Sequence, residues 1–285
     1  GKPAKGAAPK AKESKPDQLS PGVLTLNHVT FKDLDKQVAW VRLNSLGREA
    51  LGGIDDDVFK AEWGRIFEEA SKSDGIILDL QGNSGGLLSF ARIVAVDFLT
   101  EPALIYSQER TKYELLGSLF TYNKTVFGET EWKPRAGVVR KPIVILVGAG
   151  TASAAEHLTR VVRGHAGAIV VGAPTIGVDA GIEQVVGADG STLSFGSKSI
   201  LSTRGKSFQG IGVLPDIAVK ADIGDLRRLG YDAWYAELRA LHRQEVRRAF
   251  ESLWAQQSQA SPDPSQSTPS RSTPSQATPS QATGK

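Results

Sequence analysis

Residues 143 to 172 read IVILVGAGTASAAEHLTRVVRGHAGAIVVG. The apolar run Ile143–Val147 predicts a buried strand, the segment from about Ala154 to Arg163 a helix, and Ala168–Gly172 a second buried strand. Strand, helix and strand of this length form one parallel crossover unit, which decides the fold class. Outward along the chain the theme repeats. Val38–Leu43 (VAWVRL) reads as a strand, and Asp55 to Asp57 can cap a following helix whose Phe59, Trp63, Ile66, Phe67 and Ala70 share one face. Ile76–Leu80 (IILDL) is another apolar run, ending in a Gly-rich turn before a helical stretch, Leu88–Leu99. Apolar strands alternating with helices imply an α/β domain whose mostly parallel sheet is layered with helices on both faces. Ser191–Gly196 suits a peripheral hairpin, and Asp232 to about Trp254 a last amphipathic helix.

Composition bounds the function. The chain has 285 residues, 40% hydrophobic and 23% charged, and its apolar runs fall far short of a transmembrane segment. It holds no Cys, which excludes disulfides, thiolate metal sites and a cysteine nucleophile, and the four His show no metal-ligand spacing. No metal and no cofactor are implied. The net charge of +3 sits at the ends: residues 1–18 carry five Lys against Glu13 and Asp17, and the body 19–255 sums to about −1. Such a body argues against a nucleic-acid partner. Residues 1–18 read as a disordered basic leader, 19–255 as one domain, and 256–285, with four PSQST-like repeats, as a disordered tail. The chain starts at Gly1 and has no Met, as a piece of a longer product would.

Two strand-to-helix turns carry chemistry. In Asp79-Leu80-Gln81-Gly82-Asn83-Ser84-Gly85-Gly86, successive glycines let backbone N–H groups converge on one point, as in an oxyanion hole; a tight structural turn uses the same residues. In Gly148-Ala149-Gly150-Thr151-Ala152-Ser153-Ala154-Ala155-Glu156, a serine flanked by small residues opens a helix, either as an unhindered nucleophile or as an ordinary N-cap. Gly82–Gly86 is similar to the GDSGG of chymotrypsin-like proteases, but that fold is all-β, which argues against Ser84 as nucleophile.

Four stretches in order, VAWVRLNSL at Val38, ILDLQGNSGG at Ile77, VILVGAGTASAAEH at Val144 and GKSFQGIGVLPDI at Gly205, resemble the tail-specific, or C-terminal processing, serine peptidases. The resemblance spans about Val38 to Ile217 and implies the crotonase/Clp-protease-like fold. It places Ser153 on the family's nucleophile, and the N–H of Ala154 with one from Gly85 or Gly86 on its oxyanion hole. It implies hydrolysis of protein or peptide substrates through an acyl-enzyme, and an extracytoplasmic setting, periplasmic or secreted.

The resemblance breaks at the base. The family's Lys follows the nucleophile by roughly 25 residues, and Val178 stands there in Thr175-Ile176-Gly177-Val178-Asp179-Ala180-Gly181. Gln81 and Ser84 replace a usual Arg and Pro, and too few residues precede Val38 for the family's PDZ domain. Other bases are His157, more in keeping with a solvated helix histidine, Lys198, Lys206 and His28, the last by analogy with the N-terminal His of tricorn-type relatives. Two further readings stand beside the peptidase: a catalytically silent relative that binds peptides or hydrophobic ligands, and a structural domain that assembles as a homo-oligomer.

Overall fold

The computed structural model describes residues 22–48, 50, 52–115, 120–135, 141–178, 180–201, 208–220 and 231–260. The expected leader 1–18 lies outside them, as does the expected tail apart from residues 256–260, which are helical. In chain order the elements are β1 (Leu24–Phe31), β2 (Lys36–Leu43), α1 (Asp56–Ala70), β3 (Gly75–Asp79), α2 (Leu88–Ala95), β4 (Ala103–Leu115), β5 (Phe120–Trp132), β6 (Ile143–Val147), α3 (Ala154–Ala166), β7 (Ile169–Gly172), β8 (Ala180–Val186), β9 (Thr192–Leu201), β10 (Ile217–Ala218) and α4 (Tyr231–Ala260).

The main sheet runs β1-β2-β3-β6-β7-β10. Only its edge pair β1/β2 is antiparallel; Val38 pairs with Gly75, Ile76 with Ile143 and Val144 with Ile169 in parallel register. Because side chains alternate across a strand, β6 sends Ile143, Ile145 and Val147 to one face and Val144 and Leu146 to the other. The first face packs on α1, α2 and α3 through Phe59, Trp63, Phe90, Val94, Leu158 and Val162. The second packs on α4 through Val246, Ala249 and Phe250. Full burial of each such large side chain stabilises by about 1.5–3 kcal/mol, so an apolar run that is covered twice becomes the centre of the sheet.

The expected caps and faces are present. Asp55 accepts from the N–H groups of Asp57 (3.1 Å) and Val58 (3.0 Å) at the start of α1, and Phe59, Trp63, Ile66 and Ala70 are buried. α2 ends at Ala95 rather than Leu99. Beyond it the N–H groups of Asp97 and Phe98 bond three residues back, and the Asp97 carboxylate is held by the Trp63 indole (2.7 Å) and Arg135 (3.1 Å). The expected hairpin is β8/β9, which joins β4 and β5 in a four-stranded antiparallel sheet of order β5-β4-β9-β8. β1, β4 and β5 escape an apolar-run criterion because cross-strand pairing builds them: LTLNHVTF and ALIYSQERTKYEL mix polar and apolar residues throughout.

No helix among the described residues is long and apolar enough to cross a membrane.

Candidate active site

Parallel strands end on the same edge of a sheet, so the loops after β3 and β6 emerge side by side. They are laced together. The Thr151 hydroxyl donates to the Leu80 carbonyl (2.8 Å), and the Ala152 N–H to the Asn83 carbonyl (3.0 Å). Asn83 is fully buried; its Nδ2 donates to the Leu43 carbonyl (2.9 Å) and its Oδ1 accepts from the Gly85 N–H (2.9 Å). An Asn inside a Gly-rich turn after a buried strand is the sequence signal available for such a staple.

The glycines are required by closeness as well as conformation. Gly85 has φ 91°, and a Cβ there would lie 2.6 Å from the Ala152 carbonyl oxygen and 2.8 Å from the Ala154 nitrogen. Gly86 has φ 139°, and its Cβ would meet the Leu46 carbonyl carbon at 2.1 Å. Leu46 bridges to this loop: its N–H donates to the Gly85 carbonyl (3.0 Å), and its carbonyl accepts from the Leu87 N–H (2.8 Å).

Ser153 sits at the N-cap of α3 with φ 52° and ψ −121°. It and Asp35 are the two non-glycine residues of positive φ among the described residues. A side chain held there costs on the order of 1–3 kcal/mol, which the surrounding bonds must offset. Glu156, fully buried, supplies them. Its Oε2 accepts from the N–H of Ser153 (2.8 Å) and of Val178 (2.9 Å). Its Oε1 accepts from the N–H of Gly177 (2.8 Å) and from the Thr175 hydroxyl. Glu156 thus organises the helix start, and the same carboxylate also anchors the loop after β7.

Of the three amides singled out from sequence, that of Gly85 is consumed by Asn83. Those of Gly86 and Ala154 donate to no group among the described residues. Two unspent N–H donors therefore flank the Ser153 turn.

A cleft of about 830 Å³ opens over this turn, lined by Ser153, Ala154, Ser84 to Leu88, Val178, Ile182 and His157. Val178 thus faces the cleft. His157 corrects the expectation of a solvated residue: it is 5% exposed, with its ring edge-on to Phe208 at 4.9 Å. The Arg160 guanidinium also lies over Phe208, at 4.4 Å from the ring centroid. His28 is exposed on β1 opposite Ala39, in the edge pair of the main sheet, and the structure does not bring it to Ser153. The Lys198 side chain and Lys206 lie outside the described residues.

Beside the same sheet edge, under α4, a second cavity of about 320 Å³ is lined by Trp40, Arg42, Asp79, Gln81 and His242. His242 Nδ1 donates to the Leu238 carbonyl (2.9 Å), so its Nε2 accepts from Gln81 Nε2 (2.9 Å). Gln81 ties the first loop to α4. Burial pushes the Asp79 carboxyl above its ordinary range, with the Gln81 N–H and Trp40 indole opposing the rise.

These loops set Ser153 at the floor of a cleft on one edge of an α/β sheet. The chain belongs to peptidase family S41, whose family model matches residues 37–219. It is 26% identical over 166 residues to the carboxy-terminal-processing protease of Bartonella bacilliformis, covering 58% of this chain and 35% of that protein. It is 31% identical over 163 residues to the carboxy-terminal processing protease CtpA of Bacillus subtilis, covering 57% and 32%. The chain thus spans about a third of the length of the curated relatives it matches. Among solved structures, mature CPAF superposes with a TM-score of 0.63 at 16% identity, covering 82% of this chain and 56% of that one. The photosystem II D1 C-terminal processing protease superposes with a TM-score of 0.51 at 21% identity, covering 76% and 54%. The fold is therefore that of the family.

Proposed function

We propose that the chain is a serine peptidase acting on protein or peptide substrates, with Ser153 as nucleophile and the N–H groups of Gly86 and Ala154 as its oxyanion hole. The observation that carries this reading is the strained Ser153 turn held beside two unspent amides at the floor of an open cleft. Ser153 Oγ would attack the scissile carbonyl carbon while the carbonyl π pair moves onto oxygen. The resulting oxyanion would take hydrogen bonds from Gly86 and Ala154, and each such donor contributes about 10²- to 10³-fold to rate. Collapse would expel the amine and leave an acyl ester on Ser153, which water hydrolyses.

A polypeptide substrate fits the walls. β8 is the edge strand of its sheet, and its first residues, Ala180 to Ile182, line the cleft. An extended peptide could pair along that edge with its backbone passing Ser153. Ile182, 70% exposed, would meet its side chains.

Val178 in place of Lys favours a second reading, a silent relative that binds peptides in the same cleft without cleaving them. A fluorophosphonate probe with mass-spectrometric site mapping separates the two. Labelling on Ser153 that disappears in Ser153→Ala, with matching hydrolysis of an unstructured fluorogenic peptide, is the peptidase outcome. An unlabelled but folded chain from about pH 6 to 9 refutes it.

A further inference from the structure

We infer that His157 is the general base for Ser153, an assignment that rests on the peptidase reading above. Of the described residues lining the cleft, His157 alone carries an ionisable side chain, and Val178 there has no proton-accepting group. Glu156, the nearest carboxylate in sequence, is excluded by its bonding. Two carboxylate oxygens offer about four acceptor sites, and the N–H groups of Ser153, Val178 and Gly177 with the Thr175 hydroxyl fill them.

The helix supplies the geometry. The His157 N–H donates to the Ser153 carbonyl at 3.1 Å, so one turn of backbone separates the two residues, and both line the same cleft. Side chains on a helix lean toward its N-terminus, the end at which Ser153 lies. Phe208, itself buried, meets the ring edge-on at 4.9 Å and restricts its orientation. A base need reach the hydroxyl only directly or through one water, and such contacts tighten when substrate binds.

In the acylation step one imidazole nitrogen takes the Ser153 Oγ proton as the Oγ–C bond forms. The imidazolium then gives that proton to the departing amine nitrogen as the C–N bond breaks. In deacylation the same nitrogen takes a proton from the attacking water and returns it to Oγ, so the enzyme ends unchanged.

The test compares fluorophosphonate labelling rates of the wild-type chain, His157→Ala and the closer-fitting His157→Gln, with thermal melting to confirm folding. Labelling slower by about 10²-fold or more in both variants, with partial recovery of His157→Ala in added imidazole, is expected. Labelling of wild type and folded variants within a few-fold of one another overturns the assignment and leaves the peptidase reading standing. Absence of labelling in the wild type removes both. Should both variants unfold, a measurement on the unaltered chain decides: a peptide boronate adduct on Ser153 should move the His157 ring ¹⁵N resonances to imidazolium values, and unmoved resonances refute the role.

Discussion

The Glu156 carboxylate accepts the backbone N–H of Ser153 at 2.8 Å, and through this bond a buried charge three residues into a helix holds the serine in its strained turn. Replacing it is the most direct probe of the turn. Glu156→Gln keeps the shape but turns one acceptor oxygen into an NH₂ facing N–H donors, two of which lose their partner. Leaving buried donors unsatisfied costs about 1–3 kcal/mol each, and 1 kcal/mol lowers Tm by about 2–4 °C in a domain of this size. A calorimetric Tm lower by about 4 °C or more, with slower Ser153 labelling, is expected. An unchanged melt would show that the carboxylate does not hold the turn.

The two loops meet without room for a side chain. Gly86→Ala must displace the Leu46 backbone, 2.1 Å from the new Cβ, and so moves an amide proposed to hold the oxyanion. Gly82, at φ 77° with nothing near its Cβ position, serves as the control. Gly82→Ala should cost only the left-handed backbone penalty of about 1–2 kcal/mol and label at nearly the wild-type rate. Gly86→Ala should lose about 10²-fold or more in labelling rate. Equal rates in the two would separate Gly86 from the site.

Stability should depend on pH in opposite senses at two aspartates. Burial raises the Asp79 carboxyl above 3.8, so its contribution to stability is complete below that pH and fades as pH rises through the folded-state value. At Asp74 the Gln37 N–H and Lys36 lower the carboxyl below 3.8, so its contribution is present above that pH and is lost on acidification through the folded-state value. Urea unfolding of the wild type and Asp79→Asn from about pH 4 to 7 should show the wild type losing stability relative to the variant as pH rises. A difference that is flat, or that grows with pH, would contradict the burial account.

Much of the site was legible because its chemistry is local. Asp55 caps α1 and Glu156 braces the start of α3, both within three residues of what they bond. His157 misled for the opposite reason. Read along α3 alone it shares a side with Arg160 and belongs in solvent, whereas Phe208, 51 residues later, comes back to cover it. The amide of Gly85 is likewise taken by a side-chain oxygen two residues away, Asn83 Oδ1, whose orientation is set by a bond to Leu43 across the sheet edge.

Apolar runs, caps and small-residue turns, all physical preferences of short segments, determined the α/β class, the positions of the central strands along the chain and the candidacy of Ser153. Which of two adjacent glycine amides stays unspent, whether a helix histidine meets water or a cleft, and which strand edge borders the serine were decided by tertiary structure alone. Each depends on whether a distant segment occupies the space beside the group, and hydrogen-bond competition and burial are set by that occupancy, not by the neighbours in the chain.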